Sequence, residues 1–180
     1  MNGLENPDST AFFSTERLIV KPLTWEDMPD FHKLQSDPRV YAFVGRPPND
    51  NEDQSKAELE QIIREYKNPN FERIIGGVFL QETRAFIGTC AIYLNREGER
   101  ELGYRILPEY WGRGYASEII TPLIRFGFRE LRQSALCAYV FDDHEASIRV
   151  LEKGGMDLER RFFNEEFQRM DRYYTVKNKM

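Results

Sequence analysis

The chain has 180 residues, with 25 Lys and Arg against 30 Asp and Glu, for a formal net charge of −5. This acidic balance argues against a general phosphate-backbone binder, and no apolar run is long enough to cross a bilayer. The length suits one domain around one core. Cys90 and Cys137 lie in apolar runs without CxxC spacing, as expected of buried thiols in a reducing cytoplasm rather than a disulfide scaffold. His32 and His144 are the only histidines, so neither a histidine-rich metal site nor a zinc quartet is expected.

In chain order, residues 1–13 (MNGLENPDSTAFF) have neither a basic start nor an apolar stretch, which excludes a secretory signal in them. They read as a loose, flexible arm ahead of a single domain over 14–180. RLIVKPL (17–23) alternates apolar and polar residues and predicts a strand. Thr24 is placed to cap a helix on which Trp25, Met28, Phe31 and Leu34 recur at helical spacing, ending before Pro38. After the breaker-rich RPPNDNEDQ, the residues Leu59, Ile62, Ile63 and Tyr66 mark a second helix that closes near Asn68-Pro69. RIIGGVFL, AFIGTCAIYL and ERELGYRIL, joined by short polar turns, predict an antiparallel meander.

A helix over about 115–131 follows, with Ile119, Ile120, Leu123, Ile124 and Phe128 on one face and Pro122 as a kink site within it. Next come a strand, ALCAYVF, and a short helix opening at Asp142-Asp143-His144 and leaving through Gly154-Gly155. Two aromatic-rich strands, over about 157–163 and 167–176, complete the chain. The fold class is therefore α+β on a mostly antiparallel sheet. One crossover, from ELGYRIL through the long helix to ALCAYVF, makes two strands parallel.

That crossover carries residues 108–118, PEYWGRGYASE. A helix start offers unpaired N–H groups and a partial positive charge of about +0.5, which together suit an anion. Gly112 and Gly114 let the backbone approach such an anion closely, Arg113 adds a donor, and Ala116 and Ser117 keep the first turn slim. The reading is a pyrophosphate cradle, set against a plain strand-to-helix turn. A Walker loop is excluded because no lysine follows the glycines. A dinucleotide fingerprint, Gly112-x-Gly114-x-x-Ser117 with Asp142, lacks its third glycine and follows a meander rather than opening a βαβ unit.

WGRGYASE, with ELGYRILPEY before it and HEASIRVLEKGGM after it, resembles the GNAT superfamily of acyl-CoA-dependent N-acetyltransferases, in particular the ribosomal-protein-alanine N-acetyltransferase branch. The resemblance spans about residues 14–176. It implies the GNAT fold and acetyl-CoA as cosubstrate, with the pyrophosphate on the main-chain amides of Trp111, Gly112, Arg113, Gly114, Tyr115 and Ala116. Trp111 stands where the family has Gln or Arg. The resemblance further implies that the strand ending at Ile106 and Leu107 splays from ALCAYVF and bonds the pantetheine arm. It puts His144 where an asparagine usually contacts the coenzyme. Leu151 stands where many relatives carry the tyrosine that protonates the leaving thiolate.

Acetyl transfer needs a neutral amine, and a lysine-like amine has a pKa of about 10.4, so a base or a water relay is required. Glu101, on the same strand face as Gly103 and Arg105, is the candidate base; its alternative role is an ion pair with Arg105. A backbone N–H near Ile106 is expected to meet the oxyanion. Ser147 is the candidate donor to the thiolate, or else a local helix cap. The expected chemistry is direct attack of the amine in a ternary complex. The acidic stretch 49–53 is read either as a cation-drawing rim of the acceptor groove or as a solvated loop capping the second helix. The partners implied are an amine acceptor, a small molecule or a protein N-terminus, without nucleic acid or membrane, and a homodimer is left open. The competing reading is a catalytically inactive CoA-binding module.

Overall fold

The computed structural model describes residues 11–67 and 73–178. Residues 1–10 of the expected arm, and the helix exit expected at Asn68-Pro69, lie outside them. The elements are β1 (Phe13–Ser14), β2 (Leu18–Lys21), α1 (Met28–Ser36), α2 (Pro38–Tyr41), α3 (Glu52–Glu65), β3 (Arg73–Leu80), β4 (Phe86–Leu94) and β5 (Arg100–Ile106). After these come α4 (Tyr115–Arg129), β6 (Ala135–Phe141), α5 (Glu145–Lys153), β7 (Asp157–Asn164) and β8 (Arg169–Lys177). Eight strands form one sheet in the order β1-β2-β3-β4-β5-β6-β8-β7. Among the described residues only β5 and β6 are parallel, as expected of the crossover through α4.

The sheet separates two cores. On one face Ile119, Ile120 and Leu123 of α4 and Leu151 of α5 pack with Ile87, Ile92 and Leu136. On the other, Phe31 and Leu34 of α1 and Leu59 and Ile62 of α3 pack with Ile75 and Phe79. Burial on both faces explains why RIIGGVFL and FIGTCAIYL read as nearly continuous apolar runs instead of alternating. Phe31 is fully buried. Phe31→Ala is expected to cost about 3–5 kcal/mol, seen as a lower urea midpoint at unchanged slope.

Several local expectations are corrected. Phe12 and Phe13 do not belong to a loose arm: Phe13 lies in β1, and the Phe12 ring sits 6.0 Å from Tyr66 and 5.5 Å from Phe126. Trp25 does not share the buried stripe of α1. It occupies a separate 3₁₀ turn, Trp25–Asp27, and is 48% exposed, while the Asp27 carboxylate accepts the Thr24 N–H at 2.7 Å. Pro38 ends one helix but also starts another, because a proline at the first helical position has no N–H to satisfy. The Asp37 carboxylate caps that short α2 by accepting the Arg39 N–H at 2.9 Å. α4 runs through Pro122 as one helix.

Candidate active site

β5 runs through a 3₁₀ turn, Pro108–Tyr110, into the glycine loop and the start of α4. Gly112 and Gly114 have φ of +73° and +81°, left-handed conformations that side chains disfavour. A Cβ at Gly112 would meet nothing within 4 Å, and one at Gly114 only Arg17 Nη2 at 3.7 Å. The loop is thus open where those side chains would stand. Gly114 is the N-cap, and the Glu118 N–H donates to its carbonyl at 3.0 Å. The amides of Tyr115, Ala116 and Ser117 precede that bond and have no intrahelical acceptor. The Arg113 guanidinium lies exposed over the Tyr110 ring at 5.5 Å.

Arg17 belongs to this loop and was not foreseen. It pairs with Glu118 at 2.6 Å, donates to the Arg113 carbonyl at 3.1 Å and lies over the Tyr115 ring at 4.6 Å. Burial pushes the Glu118 carboxyl up, but bonds from Thr15 and from Arg17 outweigh it and hold the group below its ordinary range. Nothing local marks Arg17, which reaches the loop from almost a hundred residues away through the sheet.

Two coenzyme contacts are corrected. The Leu107 N–H donates to the Ile87 carbonyl at 2.9 Å and its carbonyl accepts the Tyr110 N–H at 2.9 Å, while its side chain is 1% exposed. Leu107 therefore has no polar group to offer a ligand. Trp111 offers no free donor: its main-chain N–H donates to the Pro108 carbonyl at 3.1 Å, which takes it out of the expected amide cradle, and its Nε1 donates to the Ile106 carbonyl at 2.6 Å. Its half-exposed ring remains beside the loop.

The Leu107–Ile87 bond also sets the ladder. In an antiparallel pair bonding alternates, so Leu102, Tyr104 and Ile106 turn their N–H and C=O groups away from β4 and toward β6. β6 meets β5 at a single register position, Glu101↔Cys137. Beyond it the strands diverge, and the amides of Tyr104 and Ile106 face the gap. Ser147 of α5 stands beside this gap with its Oγ 2.8 Å from the Tyr104 hydroxyl. Burial pushes the Tyr104 phenol up to about 12, with Ser147 pulling the other way. His144 is the N-cap of α5 and stacks on Phe43 with ring centroids 4.0 Å apart. Burial lowers its pKa.

A cavity of about 840 Å³ opens on the strand face that carries Glu101, Gly103 and Arg105. The Tyr93 hydroxyl donates to Glu101 Oε1 at 2.6 Å and Asn95 Nδ2 to Oε2 at 3.3 Å. Burial nevertheless raises the Glu101 carboxyl above its ordinary range. Glu101 does not pair with Arg105, whose Nη1 donates instead to Gln35 Oε1 at 2.7 Å and to the Tyr41 hydroxyl. Residues 49–53 do not line this cavity. Asn51 caps α3 by accepting the Gln54 N–H at 3.0 Å, and the cavity wall takes Glu58 and Glu65 from later turns. Cys90 and Cys137 are free and buried, and burial pushes both thiols up to about 12, far from a nucleophilic thiolate. Among the described residues no helix is long and apolar enough to cross a membrane, and no cluster of three His, Cys, Asp or Glu is set to hold a metal.

β5 thus joins a glycine loop at a helix start, a strand pair that opens beyond one residue and a carboxylate-lined cavity on the adjoining face. Residues 17–157 match the acetyltransferase (GNAT) domain, and the chain belongs to that family. It is an acetyl-CoA-dependent N-acetyltransferase. It is 31% identical over 147 residues to the uncharacterized N-acetyltransferase YoaA of Bacillus subtilis, covering 81% of this chain and 82% of that one. Two solved structures share the fold. Spermidine N-acetyltransferase from Vibrio cholerae, in complex with CoA and spermine, has a TM-score of 0.76 at 19% identity, covering 89% of this chain and 95% of its own. A ribosomal L7/L12 α-N-protein acetyltransferase in complex with coenzyme A has a TM-score of 0.80 at 14% identity, covering 93% and 97%.

Proposed function

We propose that this chain binds acetyl-CoA with its pyrophosphate on the amides of residues 112–116, its pantetheine in the β5–β6 gap and its thioester beside Ile106, and transfers the acetyl group directly to an amine entering the 840 Å³ cavity. The observation that carries this reading is the join between cradle and cavity. One strand, β5, turns the free amides of Tyr104 and Ile106 to the gap and the Glu101 side chain to the cavity. Glu101, whose carboxyl burial raises above its ordinary range, takes the amine proton in its ionised form, directly or through a water. The Ile106 N–H meets the developing oxyanion. Leu151 is buried and has no proton to give; Ser147, 2.8 Å from the Tyr104 hydroxyl, donates a hydrogen bond to the leaving thiolate, which takes its proton from solvent.

The acceptor is a primary amine of a small molecule or a protein N-terminus. The spermidine and ribosomal-protein enzymes that share the fold represent those two kinds, and the buried free thiols suit action in a reducing cytoplasm. The direct test is coenzyme A thiol release from acetyl-CoA across amines and short peptides, with the acetylated product identified by mass. Release that requires an amine supports the reading; release independent of any amine contradicts direct transfer.

Tyr93→Phe supplies a further check. The Tyr93 hydroxyl stabilises the Glu101 carboxylate, so its loss raises the Glu101 pKa further. The acidic limb of the kcat profile, on which activity disappears as Glu101 becomes protonated, is expected to move to higher pH. A limb that stays in place would assign the base role elsewhere.

A further inference from the structure

The charges around the acceptor cavity are unevenly paired. Glu58 is bonded to Arg46 at 3.0 Å, Glu65 to Arg73 at 2.5 Å and Glu166 to Arg96 at 3.4 Å. Asp171 accepts a bond from Asn164 at 2.6 Å, and burial pushes its carboxyl upward. A polycationic acceptor needs several unpaired carboxylates in a row, and four of the six that line the cavity are engaged, the other two being Glu97 and Glu101. Glu101 is held by the neutral Tyr93 and Asn95, with no cation bonded to it among the described residues.

The opposite charge is just as distinctive. Arg105 is half-buried, lines the same cavity and has no carboxylate partner among the described residues. Its Nη1 is anchored by two neutral oxygens, Gln35 Oε1 and the Tyr41 hydroxyl, both on residues that are at most 4% exposed. Those bonds fix the guanidinium in place without neutralising it. Nε and Nη2 have no hydrogen-bond acceptor among the described residues, and neither is a sealed, unsatisfied donor. Between the two charges lies Gly103, where an added Cβ would meet only Tyr93, at 3.8 Å, so the floor that separates them is flat. Four residues of extended strand put the Glu101 and Arg105 backbones about 13 Å apart, and both side chains point to the same face.

We infer that Arg105 is a specificity determinant and that the acceptor is a small amine which also carries a carboxylate, the amine directed to Glu101 and the carboxylate to the free edge of the Arg105 guanidinium. A planar guanidinium anchored at one nitrogen presents its remaining donors as a fork that fits a carboxylate. The aromatic walls, Phe43, Phe141 and Phe167 among them, suit an apolar body between the two charged ends. This inference rests on the cavity being the acceptor site.

The test compares acceptors matched except for the carboxylate: phenylalanine against phenethylamine, 6-aminohexanoate against hexylamine, and the dipeptide Ala-Phe against its C-terminal amide. With the wild-type enzyme, kcat/KM for the carboxylated member of at least one pair is expected to exceed its partner's by roughly 10- to 100-fold, the range of a charged hydrogen bond. The three pairs differ in the distance between amine and carboxylate, so the best pair reports that spacing. Arg105→Gln, which removes the guanidinium and keeps a shorter polar side chain, is expected to abolish the preference by lowering kcat/KM for carboxylated acceptors. Equal or better turnover of the decarboxylated members by the wild type would overturn the inference while leaving acetyl transfer intact, and this comparison stands even if the variant fails to fold. A preference that survives in folded Arg105→Gln would also overturn it. Binding of acetyl-CoA without thiol release to any member of either set would overturn both the catalytic reading of the cavity and this inference.

Discussion

Gly114→Glu is expected to weaken acetyl-CoA binding by about 100-fold or more while leaving a folded protein. Three effects act together. Gly114 has φ +81°, so any side chain there strains the helix start by roughly 1–2 kcal/mol. The new side chain would enter the open face, which the glycine keeps free apart from Arg17. Its carboxylate would compete with the diphosphate for the positive helix end and for charge-assisted bonds worth about 1.5–3 kcal/mol each. Gly114→Ala separates these contributions, since it brings the strain without the charge and should cost about tenfold or less. Calorimetric titration with acetyl-CoA measures the loss, and thermal unfolding without ligand confirms that the fold persists. Unchanged affinity in folded Gly114→Glu would remove the diphosphate from this loop.

Glu101→Gln is expected to lower kcat by about 10²- to 10⁴-fold at neutral pH, the usual range for a lost general base. The substitution is nearly isosteric, and its amide oxygen can still accept from Tyr93, so the cavity should keep its shape. The deficit depends on pH in a defined direction. Burial raises the Glu101 pKa, and Tyr93 and Asn95 offset only part of that. Above this raised pKa the wild-type carboxylate is free to take a proton, so the variant's deficit is full. As pH falls through it the wild type loses its base and the two profiles converge. A constant ratio between variant and wild type at all pH values would mean that Glu101 shapes the cavity without accepting the proton.

The features legible in the sequence were those whose requirement is local. Gly112 and Gly114 stand out because a backbone with positive φ excludes other residues at those positions. Gly155, with φ +78°, was legible as a helix exit for the same reason. The crossover through α4 followed from the order of elements, and the divergence of β5 from β6 follows from its single register pair. Glu101 and Arg105 were placed on one face by strand alternation alone.

What the sequence hid was set by contacts between distant segments. Arg17 reaches the glycine loop only because the turn between β1 and β2 meets the start of α4. The partners of Glu101 could not be named without the β4–β5 register, which seats Tyr93 directly opposite it. Trp25 misled because its spacing matches the buried stripe of α1 while its backbone belongs to a preceding turn. Leu107 misled for the opposite reason: it neighbours Ile106, yet ladder alternation turns its N–H toward β4 instead of the gap. The acidic residues at 50, 52 and 53 looked functional by composition, but they are exposed ahead of and within the first turn of α3, where carboxylates favour the positive helix end.

The most direct test is a crystal structure of the protein with coenzyme A. The diphosphate is predicted within hydrogen-bonding distance of the amides of residues 112–116, with the pantetheine lying in the β5–β6 gap along Tyr104 and Ile106 and the sulfur facing Ser147. Coenzyme A bound with its diphosphate away from the start of α4, or with that gap closed and empty, would contradict it.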